Sequence, residues 1–71
     1  MTWLTILHTI PKENYAALLE YCQRAAQQDK TFIFSIESDR IIIQSPSRDQ
    51  AFKRGALLNF KFNVFYEVVK K

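Results

Sequence analysis

The sequence predicts an α+β fold of order β-α-β-β-α-β, and three observations carry the prediction. Residues 3–10, 31–44 and 59–71 hold alternating stretches with the period of two of an extended strand. Residues 12–28 change to the 3.6-residue spacing of a helix with one buried stripe. Ser47 and Gln50 form an N-terminal capping pattern that starts a second helix before the last alternating run.

Taken in order, Trp3 to Ile10 is the first strand. Leu4, Ile6 and Ile10 fall on one face with His8 among them, and Trp3, Thr5, Leu7 and Thr9 fall on the other. Pro11 ends the strand and suits the first helical turn, where its missing N–H is not needed. From Lys12 to Gln28, Tyr15, Leu18, Leu19, Cys22, Ala25 and Ala26 form the apolar stripe, with Glu20, Gln23, Arg24 and Gln27 opposite. Glu13 in the first turn complements the helix dipole. Gln28-Asp29-Lys30 turns the chain. Thr31–Glu37 and Arg40–Gln44 are rich in β-branched and aromatic residues and read as a hairpin, although its turn lacks an Asn-Gly or Asp-Gly dipeptide.

Ser45-Pro46-Ser47 breaks that strand, and Ser47 caps a helix from Arg48 to about Leu58, with Asp49 in its first turn. Ala51, Phe52, Ala56 and Leu58 are its expected inward residues. Gly55 costs such a helix about 1 kcal/mol relative to Ala, which a close helix–sheet contact would explain. Asn59 to Lys71 then reads as a long last strand, with Phe60, Phe62, Val64, Tyr66 and Val68 on one side and Lys61, Asn63, Phe65, Glu67 and Val69 on the other. This order is that of a ferredoxin-like plait, a four-stranded antiparallel sheet with two helices on one face. The alternative is a β-α-β-β core whose second helix is only a turn, with the last strand at an edge.

Composition sets the bounds. The chain of 71 residues is expected to form a single domain, 1–71, with 48% hydrophobic residues and a single glycine, a composition that argues against disorder. A domain of this size buries roughly 60% of the surface its unfolded chain exposes, so it depends on a dense core or on association. The net charge of +3 lies wholly in the second half, because Lys12, Arg24 and Lys30 cancel Glu13, Glu20 and Asp29 in the first thirty residues. That is a mild bias toward acidic partners. One cysteine, Cys22, excludes an internal disulfide framework and fits a reducing setting. Residues 1–8 lack the basic start and cleavage site of a signal peptide, and no apolar run approaches the ~20 residues of a membrane span. A cytoplasmic protein without a membrane association is therefore expected.

The alternating strands carry apolar residues on both faces. Leu4, Ile6 and the Phe60-to-Val68 row are expected to face the helices, together with Phe32 or Ile33 and Ile41 or Ile42. Trp3, Leu7, a hairpin isoleucine, Phe65 and Val69 would then populate the other face, which a domain this small cannot cover by itself. The expectation is a non-catalytic protein–protein interaction module, homodimeric, acting as an adaptor or as an inhibitor of a larger protein, a host protein among the candidates. Its partner-binding residues are Trp3, Leu7, Phe65 and Val69, on the sheet face or an edge strand.

Other chemistries find less support. The alternative is a nucleic-acid-binding module using Arg48, Lys53 and Arg54 on the second helix and Lys61 on the last strand. RNA-binding plaits stack bases on aromatic residues of the central strands, whereas here only Trp3 and the Ile41–Ile43 run are available. Catalysis is not expected: His8 is the sole histidine, Cys22 lies on an apolar helix stripe, and together they cannot close a zinc site. Glu37 and Asp39 around a turn read as solvated carboxylates. With one glycine there is no phosphate-binding loop, no cofactor is expected, and a metabolite-binding regulatory module is the weakest reading.

Overall fold

The computed structural model describes residues 2–71; Met1, where the N-terminal reading begins, lies outside them. The chain forms β1 (Trp3–His8), α1 (Lys12–Gln28), β2 (Ile33–Glu37), β3 (Arg40–Ser45), α2 (Arg48–Phe62) and β4 (Phe65–Lys70). The sheet order is β2-β3-β1-β4 and every neighbouring pair is antiparallel. This is the ferredoxin-like α+β fold, with both helices on one side of the sheet. No helix among the described residues is long and apolar enough to cross a membrane.

The first helix follows its sequence pattern. Leu18 and Cys22 are its fully buried residues, with Tyr15, Leu19, Tyr21, Ala25 and Ala26 packed around the core. Leu7, Ile41, Ile43, Phe32, Leu58 and Val64 complete that core. The hairpin closes through Ser38-Asp39, with Glu37 paired to Arg40 and Ser38 at φ 56°. A positive φ at the first central residue belongs to the turns whose twist matches two flanking strands.

The second helix begins as expected, with Ser47 Oγ accepting the Gln50 N–H at 3.2 Å. It does not end at Leu58. It continues to Phe62 and stops at Asn63, which adopts the left-handed conformation (φ 56°, ψ 42°) and donates its N–H to Asn59 C=O at 3.0 Å. Asn tolerates that conformation better than most residues, so it makes a natural C-terminal stop. The long last strand is therefore a correction: Asn59–Phe62 are helical, Lys61 sits in the last helical turn, and Phe60 is 88% exposed. Ala51, Gly55 and Leu58 are the buried residues of α2, with Phe62 packed at its end; Phe52 lies at the rim and Ala56 is exposed. Their spacing is helical, and burial along it outweighs the alternation at Phe60 and Phe62.

Gly55 is where helix and sheet come closest. A Cβ there would overlap the Tyr66 ring, with Cε2 and Cγ at 2.7 and 2.8 Å. The small residues Ala51 and Gly55 let α2 settle onto β1 and β4. Thr5 exploits the same proximity, donating its hydroxyl to Ala51 C=O at 2.8 Å while fully buried. The first strand thus faces the opposite way from the expectation. Trp3, Thr5 and Leu7 point toward the helices, and Leu4, Ile6 and His8 point away.

Candidate functional site

The register across the four strands defines the uncovered face. One row runs Ile33–Gln44–Leu4–Val69 and the next Ser35–Ile42–Ile6–Glu67. Beyond them Glu37 pairs with Arg40 and His8 with Phe65. Leu4, Ile6 and Ile42 occupy the central strands, half-buried by their neighbours. Ile33, Val69 and Phe65 stand on the outer strands at 52%, 39% and 56% exposure. An apolar patch therefore runs diagonally from Ile33 through Ile42, Ile6 and Leu4 to Val69 with no helix over it, with Gln44, Ser35 and Glu67 among its rows and Glu37 and Arg40 at its end.

The structure divides the expected partner-binding residues into two pairs. Phe65 and Val69 are on this open face. Leu7 is fully buried in the core, and Trp3 lies on the helix side, 6.0 Å from the Arg48 guanidinium. Neither contributes to the open surface; Leu4 and Ile6 take their place. Sequence alternation does not separate the two assignments, because both rows of β1 hold large apolar residues. The polar Thr5 marks its row as the solvent side until its hydroxyl finds Ala51, 46 residues away.

The basic residues of the second half do not converge. Arg48 packs its guanidinium 4.9 Å from the Phe52 ring, and Lys53 pairs with Asp49 at 3.4 Å within the helix. Lys61 is at the far end of α2, near the carboxyl end of its dipole. Arg54 is internal. Its Nη1 donates to Gln44 C=O at 3.2 Å and Ser45 Oγ at 2.7 Å, and its Nη2 donates to Asp29 Oδ2 at 3.1 Å and Thr31 Oγ1 at 3.0 Å. The guanidinium also lies 5.0 Å from the Phe32 ring. Its side chain is only 13% exposed, so Arg54 fastens α2 to the β3 end and to the turn before β2.

Asp29 is the other half of that fastening. The Thr31 hydroxyl and backbone N–H donate to Oδ1 at 2.7 and 2.9 Å, and with the Arg54 charge they hold the carboxyl below its ordinary value. Cys22 moves the other way. Burial pushes its thiol up to about 11, the direction expected for an anion deprived of water. His8 is on the open face, edge-on to Phe65 at 6.1 Å, so the sheet separates it from Cys22. Among the described residues no group of three or more His, Cys, Asp or Glu could hold a metal ion.

A groove of about 460 Å³ lies at the β1–α1 end, lined by Thr9, Ile10, Pro11, Lys12, Tyr15, Asp39, Asn63 and Phe65. Phe65 therefore joins this groove to the open sheet face. Asp39 and Lys12 are its charged walls. No protein-family model, curated protein or solved structure matches the chain.

Proposed function

We propose that this chain is a non-catalytic interaction module that docks a larger protein on the open face of its sheet, as an adaptor or inhibitor. The observation that supports this reading is the uncovered patch Ile33, Leu4, Val69, Ile42, Ile6 and Phe65. Four strands at about 4.8 Å spacing and six residues at about 3.4 Å rise make a face of roughly 20 by 20 Å. Removing about 300 Å² of apolar surface from water there favours docking by about 7.5 kcal/mol. That is comparable to the roughly 4–15 kcal/mol lost in association, so a partner must also engage the rim or the adjoining groove at Phe65.

The test is capture of a partner from the source cells at high salt, compared between the native chain and two variants. The reading expects one defined protein, retained at about 1 M salt, where exposed charges are screened within about 3 Å. Ile42→Lys, at the centre of the face, should release it while the fold persists by circular dichroism. Replacing Arg48, Lys53 and Lys61 together by Gln should leave it bound. A partner that ignores Ile42→Lys but leaves with the three basic residues, or with added salt, would sink the proposal in favour of a charge-driven ligand such as nucleic acid.

A further inference from the structure

The outer strand β2 is the less protected of the two sheet edges. Its five residues, Ile33–Glu37, contain no Lys, Arg or Pro, their one charge is Glu37 beside the turn, and the pairing with β3 runs without a bulge from Ile33↔Gln44 to Glu37↔Arg40. Proteins usually protect free edges with such features. The opposite edge, β4, carries Glu67 and Lys70. On β2, Ile33 and Ile36 are 52% and 48% exposed, on opposite faces of the strand.

Strand geometry specifies what such an edge accepts. The two-residue turn closes on Glu37 and Arg40, so Ile33, Ser35 and Glu37 direct their N–H and C=O groups toward β3. Phe34 and Ile36 direct theirs outward. A second β2 laid antiparallel about Ser35 brings Phe34 opposite Ile36 of the other copy, and Ile36 opposite its Phe34. Each of those pairs exchanges two backbone hydrogen bonds, and each places an aromatic ring against a β-branched side chain on the helix side, a favourable cross-strand pair. Ser35 meets its own copy at the dyad. In this register the two hydrogen-bonded pairs match, and at the ends of the strand Ile33 lies opposite Glu37 of the other copy.

We propose that a second copy of the chain pairs with this one through β2, antiparallel and centred on Ser35, to form a continuous eight-stranded sheet. The dyad stands normal to the sheet, so both helix layers remain on one side and both open faces join on the other. This pairing is independent of what covers the open face.

The proposal is tested by cysteine placement and solution mass. At the dyad, Ser35 faces its counterpart in a non-hydrogen-bonded pair with Cα atoms about 4.5 Å apart, within disulfide reach. Two residues to either side, the separation between like positions exceeds about 7 Å, beyond that reach. With Cys22 buried and diamide as the oxidant, Ser35→Cys should give a linked dimer at least about tenfold faster than Ile33→Cys or Glu37→Cys. Light scattering should show a salt-resistant dimer, and Ile36→Lys should weaken it about tenfold, equivalent to 1.4 kcal/mol. Equal linkage of the three cysteine variants, a monomer at about 1 mM, or a dimer lost with Ile42→Lys but not with Ile36→Lys would each overturn the proposal. The first two outcomes leave the docking role of the open face standing.

Discussion

Gly55→Ala is the substitution that most directly tests how α2 is seated. In an isolated helix the change is favourable by about 0.8–1.0 kcal/mol, because Gly has more backbone freedom to lose. Here the new methyl meets the Tyr66 ring, with Cε2 and Cγ at 2.7 and 2.8 Å, against the roughly 3.5–4.0 Å at which carbon atoms pack. Cγ is one bond from the Tyr66 Cβ, so the ring cannot evade the methyl by bending at its tip. Either the rotamer changes, breaking the edge-on contact with Phe52 at 6.5 Å, or α2 lifts from β4. Overpacking of this kind costs about 1–3 kcal/mol, and set against the helix gain the expected result is a net loss of about 1 kcal/mol. In a domain of this size that lowers Tm by about 4–8 °C.

The assay is thermal and urea unfolding of four proteins: native, Gly55→Ala, Tyr66→Ala and the double variant. Once Tyr66 is truncated the overlap is gone, and Gly55→Ala should then stabilise by about 1 kcal/mol, reversing its sign. The cycle should give a coupling of about 2 kcal/mol, within the range for residues in contact. If Gly55→Ala raises Tm by the same amount in both backgrounds, Tyr66 gives way freely. Gly55 would then have no role in setting the distance between helix and sheet.

Asp29 should make stability depend on acid. Its folded value is lowered from 3.8, so its contribution is complete above the ordinary carboxylate range and disappears as pH falls through the folded value. Asp29→Asn should therefore lower Tm at pH 7 and converge with the native chain once the pH has fallen below the folded value; parallel curves throughout would contradict the linkage. Cys22 should resist a disulfide reagent at about pH 8 until urea unfolds the chain, with reaction rates following global unfolding, and modification within seconds in buffer would contradict its burial. The end of α2 is tested by Phe60→Ala and Phe62→Ala. The first should change stability by no more than about 0.5 kcal/mol, and the second should cost about 2 kcal/mol because it removes the edge-on contact with Tyr21 at 5.9 Å and core packing. Equal effects would restore the reading of both residues as members of one strand face.

Much of the fold is legible because its signals are local. The stripe from Tyr15 to Ala26, the Pro11 boundary, the Ser47–Gln50 cap and the two runs around Ser38-Asp39 each lie within a few residues, where the 3.6 and 2.0 periods are distinct. The candidate surface is legible only in part. Phe65 and Val69 lie on the open face as expected, although the row that set their parity ran through Phe60 and Phe62, which are helical, while Trp3 and Leu7 exchange places with Leu4 and Ile6. The sequence around Phe60 and Phe62 satisfies both periods at once, and the choice falls to the contacts of Leu58 and Phe62 with the core.

By itself, then, the sequence determines the order of elements, their approximate bounds and the presence of more apolar strand surface than two helices can cover. Tertiary structure alone decides which surface that is. A strand with apolar residues on both faces can be turned over with little change in local energy, and the choice depends on groups far away in the chain. For β1 the deciding groups are Ala51 C=O, which satisfies Thr5, and the close seat of α2 at Gly55. Arg54 shows the same dependence. Its charge is visible in the sequence, but its partners Ser45 and Asp29 lie 9 and 25 residues away, and only their convergence makes it a structural fastening.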